Sequence, residues 1–164
     1  MTAADVGREG AEPPPLPPRA RRPEVLSLLL ALAGVALAAY LTWVHFDPAL
    51  LVCSVVGGCH TVQSSAYAVA AGVPVALWGL AMYLLLAVLA AARLARPRWR
   101  WPLTYAALLL ALGGALYSGY LTALELVVIR AVCQWCVASA AMVTAIFLCE
   151  AVLTARLVID PLEP

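Results

Sequence analysis

Four long apolar runs, separated by shorter polar stretches, organise this sequence. Polar and proline-rich positions fill residues 1–24 (Pro13, Pro14, Pro15, Pro17, Pro18 and Pro23). Such a stretch buries too little apolar area to offset its ordering entropy, so a disordered arm is expected there. Apolar positions then dominate 25–46, 73–92, 102–129 and roughly 132–158. Each run is long enough for a helix to cross a bilayer, which takes about 20 residues. Pro74 opens the second run, at a helix start that tolerates proline. The longest internal polar connection, 47–72, joins the first two runs. A basic aromatic turn at 93–101 joins the next pair, and a corner at Arg130 leads into the fourth. The pattern predicts an all-α membrane protein, a four-transmembrane-helix bundle forming one domain over 25–158, with a tail at 159–164.

Composition supports this reading. Of 164 residues, 65% are apolar and only 12% charged, too little polar surface to cover a soluble globule. The net charge of +1 gives no reason to expect nucleic acid. Arg21 and Arg22, followed by an apolar run with Ala36, Ala38 and Ala39, also resemble a cleaved leader. The run continues through Tyr40–Phe46, however, to a length that favours an anchored span. The basic residues are all arginine. Four lie in the N-terminal arm, four in the 93–101 turn and one at Arg156, against Arg130 alone on the other side. Positive loops stay in the cytoplasm. Both termini are therefore expected inside, with the 47–72 connection and the Arg130 corner outside, where disulfides persist.

That orientation gathers four cysteines on the outer face. Cys133-Gln134-Trp135-Cys136 is a CxxC motif at the start of the fourth helix. Residues three apart share a helix face, and the positive helix N-terminus favours a thiolate. Arg130 adds to that effect. A structural disulfide or a metal half-site is the alternative to redox chemistry. Cys53 and Cys59 are separated by five residues that extended would span about 20 Å, whereas a disulfide needs Cα atoms about 5.5 Å apart. Gly57 and Gly58 supply freedom to fold back. A mobile shuttle is preferred here to a static staple. Cys149 lies about 20 Å along the helix from Cys136, out of reach, and reads as a packing residue. Two pairs in series suit thiol–disulfide exchange, which moves two electrons per step. A surface pair trades with a protein and an embedded pair with a lipid-soluble acceptor.

Cys53 and Cys59, followed by Ser64-Ser65 and a later CxxC at a helix start, resemble the vitamin K epoxide reductase family. Tyr120–Ala140 (YLTALELVVIRAVCQWCVASA) looks like its bacterial members. The resemblance covers roughly 25–155. It implies a four-helix bundle around a quinone pocket, capped by the 47–72 loop, in a bacterial inner membrane. It also implies roles: Cys53 takes electrons from a thioredoxin-like protein, and Cys59 attacks the Cys133–Cys136 disulfide at Cys133. Cys136, released as thiolate, faces the quinone (ubiquinone or menaquinone), with Ser65 close to the pocket or capping a helix. The animal enzymes carry a tyrosine four residues beyond the CxxC, where this chain has Ala140. Simple quinone reduction is therefore expected rather than epoxide chemistry. Bacterial members often carry a fused thioredoxin-like domain. Because this chain ends at Pro164, a separate DsbA-like extracytoplasmic partner is expected.

Two charged residues fall inside spans, where charge is expensive and usually functional. Glu125 is read as pairing with Arg130, with a proton role in quinone reduction as the alternative. Glu150 is expected to pair with Arg156 or an arginine of the 93–101 turn. His60 reads as an exposed loop residue or an aid to thiolate formation. Trp135 reads as an interfacial tryptophan that shields the sulfurs, and Arg98–Trp101 as a headgroup anchor. Two other functions are open to such a chain. A DsbB-type disulfide oxidase places its CxxC in the first outer loop, the reverse of the order here. A thiolate metal-binding membrane protein would use Cys53, Cys59, His60 and the CxxC as ligands.

Overall fold

The computed structural model describes residues 18–53 and 57–159. Five helices account for most of it: α1 (Pro18–Phe46), α2 (Cys59–Gln63), α3 (Val75–Ala95), α4 (Arg100–Leu124) and α5 (Gln134–Ile159). Of these, α1, α3, α4 and α5 are long and apolar enough to cross a membrane. They close into a ring in which α1 packs on α3 and α5, and α4 packs on the same two. Small residues make the close approach possible, since an apolar bilayer gives helices no hydrophobic reason to associate. Ala31, Ala38, Ala87, Ala107 and Ala111 are all buried in the central core. The Tyr83 ring lies directly on Gly34, leaving no room for a Cβ there. Leu29, Leu32, Leu84, Leu85, Val88, Leu109 and Leu116 are exposed instead, as expected of lipid-facing positions.

The first helix starts earlier than the hydrophobic pattern indicates. Residues 18–24, assigned above to a disordered arm, are helical, and Pro23 lies within the helix. Glu24 explains why this polar end is ordered. It is 1% exposed and accepts a hydrogen bond from Arg100 Nε at 2.7 Å. Residues 1–17 of that arm and 160–164 of the tail lie outside the described residues. Elsewhere the boundaries shift by a few residues: α3 and α5 start at Val75 and Gln134, two residues later than expected.

The opposite end of the bundle carries the 47–74 connection. A 3₁₀ turn (Pro48–Leu50) leads from α1, α2 follows, and a second 3₁₀ turn (Ala66–Ala68) precedes a small hairpin. Its two short strands, β1 (Val69–Ala70) and β2 (Val73–Pro74), pair antiparallel, Val69 facing Pro74. Ala71 and Gly72 form the turn with positive φ of 54° and 78°.

Candidate redox site

The end of α4 decides how the CxxC is presented. The helix widens into a π turn over Glu125–Ile129, a departure often found at functional sites. Arg130 then adopts a left-handed conformation (φ 54°, ψ 34°) and ends it. The reversal brings Glu125 beneath the start of α5, where its Oε2 accepts the Cys133 backbone N–H at 3.0 Å. Glu125 is 3% exposed, and Arg130 lies in the solvent-exposed corner. The expected Glu125–Arg130 ion pair is therefore not formed. The carboxylate satisfies an orphan helix N–H instead.

Cys133 is fully buried, and its carbonyl accepts the Val137 N–H at 3.0 Å, so it occupies the cap of α5. Cys136 follows one turn later. Both are thiols, and their side chains are hydrogen-bonded to each other. That bond lowers the Cys133 thiol from its usual 9.0 to about 7, against the opposing effects of burial and the Glu125 charge.

Cys53 and Cys59 are disulfide-bonded, with Cα atoms 6.1 Å apart. Gly58 permits their placement, though not through left-handed freedom: its φ is −87°. A Cβ on Gly58 would come within 2.7 Å of both the N and O of Val132. The start of α2 therefore rests on the backbone just before Cys133. Tyr40 of α1 reinforces the docking. Its hydroxyl accepts the Val52 N–H at 3.0 Å and donates to the Leu50 carbonyl at 3.2 Å. Trp135, inside the CxxC, donates its indole N–H to the Val52 carbonyl at 2.8 Å and meets the Tyr40 ring edge-on at 5.2 Å. All four cysteines thus belong to one packed cluster, built on Cys59 and Cys133 with Val44, Leu51 and Val62.

A cavity of about 310 Å³ lies beside this cluster. Cys136, Glu125 and Ser65 line it, together with apolar side chains such as Met82, Trp78 and Leu121. Ser65 donates its hydroxyl to the Val62 carbonyl at 2.7 Å, so it both closes the end of α2 and faces the cavity. Its neighbour Ser64 is occupied with the His60 carbonyl at 2.8 Å.

The other singled-out residues lie apart from the site. His60 is exposed on α2. Cys149 is a half-buried thiol in α5, outside the cysteine cluster. Among the described residues, no three of His, Cys, Asp and Glu are grouped to hold a metal ion. Glu150 pairs with Arg93, which opens the basic turn, at 2.6 Å. Reading the sequence missed Tyr40 as a loop anchor. An aromatic near the end of an apolar span looks like an ordinary interfacial residue, and its partners are backbone atoms that leave no sequence signal.

Residues 25–151 match the sequence model of the vitamin K epoxide reductase family. Comparison with individually curated proteins gives no match.

Proposed function

The chain belongs to the vitamin K epoxide reductase family, and on that premise we propose that it is a quinone-dependent thiol oxidoreductase that generates disulfides de novo. It relays oxidising equivalents to an extracytoplasmic thioredoxin-like protein. One observation carries this reading: the Cys53–Cys59 disulfide, Cys133 and Cys136 pack in a single cluster, and Cys136 opens onto a largely apolar cavity.

The relay is a chain of exchanges. A thiolate of the reduced thioredoxin-like protein bonds to Cys53, breaking Cys53–Cys59 and releasing Cys59 as thiolate. The second thiolate of that protein resolves the mixed disulfide and frees Cys53. Cys59 then attacks Cys133 of a Cys133–Cys136 disulfide, releasing Cys136. Cys53 attacks Cys59, re-forming the loop disulfide and freeing Cys133. Two electrons now reside on the CxxC. Re-forming the Cys133–Cys136 bond releases two electrons and two protons.

A quinone, when bound, supplies a two-electron, two-proton acceptor. The cavity suits such a group, being mostly apolar, with few polar groups and a volume in the range of small-ligand sites. Cys136 and Ser65 would hold its head. Val62, Ser65, Tyr67 and Ala68 of the connection form part of the cavity wall, which supports a capping role for it. The arginine distribution supports an orientation with the cysteines on the outer face and both termini in the cytoplasm.

The decisive measurement is spectroscopic quinone reduction by purified protein, with a reduced thioredoxin-like protein as donor. Turnover with one quinol formed per dithiol oxidised is expected. Absence of quinone reduction by any dithiol overturns the reading.

A further inference from the structure

We infer that Glu125 is a catalytic proton carrier, taking the proton of the Cys136 thiol and delivering it into the cavity. The inference rests on the quinone-reductase reading above and names a group for a step that reading leaves open. Oxidising the CxxC dithiol releases two protons, and each needs an acceptor.

Glu125 stands where one is needed. Its Oε2 lies 3.0 Å from the Cys133 backbone N, one turn before Cys136, and its side chain lines the same cavity as Cys136 and Ser65. It is 3% exposed, and among the described residues no ion pair engages it. A carboxylate buried inside a span without a cation is costly. The Cys133 N–H, at 3.0 Å, is what holds it in place. That bond needs only an oxygen acceptor, which an amide also supplies, so helix capping alone gives no reason for a carboxylate. The π turn beginning at Glu125 and the reversal after it bring the carboxylate to the Cys133 N–H, on the wall of the cavity that Cys136 also lines.

The chemistry balances. Cys136 S–H gives its proton to the Glu125 carboxylate, leaving a Cys136 thiolate. The Cys133–Cys136 bond then forms, and two electrons pass to the quinone. The proton held on Glu125 and the one originating on Cys133 follow, giving the quinol. The other titratable groups around the site are Tyr40 and His45 from α1, Tyr67 from the connection, Tyr117 from α4, and Cys133 itself.

The test is single-turnover oxidation of the dithiothreitol-reduced protein by a soluble quinone across a pH series, for wild type, Glu125→Gln and Glu125→Asp. Exchange between the loop pair and the CxxC is followed separately by alkylation. Glu125→Gln is expected to slow quinone reduction about 100-fold, the scale of a lost general base. It should also lose one limb of the pH profile while exchange stays within about twofold. Glu125→Asp should recover part of the rate and the limb. A wild-type rate and pH profile in Glu125→Gln overturns the inference. So does an equal slowing of exchange and quinone reduction, which marks a positional role only. If wild-type protein reduces no quinone, the oxidase reading fails first and takes this inference with it.

Discussion

The Trp135 indole N–H donates to the Val52 carbonyl at 2.8 Å, tying the residue inside the CxxC to the one before Cys53. Each redox pair thereby fixes the position of the other. A neutral hydrogen bond contributes about 0.5–1.5 kcal/mol. Trp135→Phe is accordingly expected to slow exchange between Cys59 and Cys133 by roughly 2- to 10-fold. Quinone reduction driven by a small dithiol, which needs no docked loop, should hardly change. Comparing the two rates checks it; an equal loss in both contradicts a docking role.

The relay makes the cysteines unequal in their assays. Cys59→Ser is expected to block oxidation of a thioredoxin-like substrate while sparing quinone reduction by small dithiols that reach the CxxC directly. Cys133→Ser and Cys136→Ser should abolish quinone reduction with every donor. Cys149→Ala, distant from the cluster, is the control and should behave as wild type. Survival of both activities in Cys59→Ser means that the loop pair is not the shuttle.

The bundle was legible in the sequence because apolar runs of span length have few other uses in a chain with 12% charged residues. The four cysteines were legible through spacing and the arginine asymmetry. Glu125 was singled out but matched to the wrong group. Sequence proximity favoured Arg130, whereas the π turn and left-handed Arg130 carry the carboxylate under Cys133. Helix widening of this kind leaves no periodic trace. Residues 18–24 read as disordered because Glu24 was weighed by its polarity. Its partners Arg93 and Arg100 lie some 70 residues away and are brought near only by the folded bundle.

The Cys133 thiol, lowered to about 7 by the Cys136 hydrogen bond, gives the site a pH dependence. Above pH 7 the reduced form is held as thiolate; below it the thiol is protonated and the advantage disappears. Stabilising the reduced form makes the Cys133–Cys136 disulfide a better oxidant of Cys59. The ultraviolet thiolate absorbance of Cys133 in reduced protein should therefore rise with pH to a midpoint of about 7. Removing the donor in Cys136→Ala should move that midpoint upward. An unchanged midpoint would show that the Cys136 hydrogen bond is not the cause.

At the other end of the bundle, Arg93 contacts Glu150 at 2.6 Å and 3.2 Å in a two-pronged pair. Ser27 donates to the same carboxylate at 2.6 Å, and Arg93 also approaches Glu24 at 3.8 Å. The network joins all four spanning helices, since Arg100 and Thr104 of α4 complete it. Arg93 and Glu150 are both almost wholly buried. Removing one partner of such a pair strands a charge and costs about 3–5 kcal/mol, whereas replacing both by apolar residues is often neutral. Arg93→Met and Glu150→Met are thus each expected to lower the melting temperature of the detergent-solubilised protein markedly. The double replacement should recover most of the loss. Additive losses in the double variant would mean that the two residues act independently, and that the network is not what locks this end of the bundle.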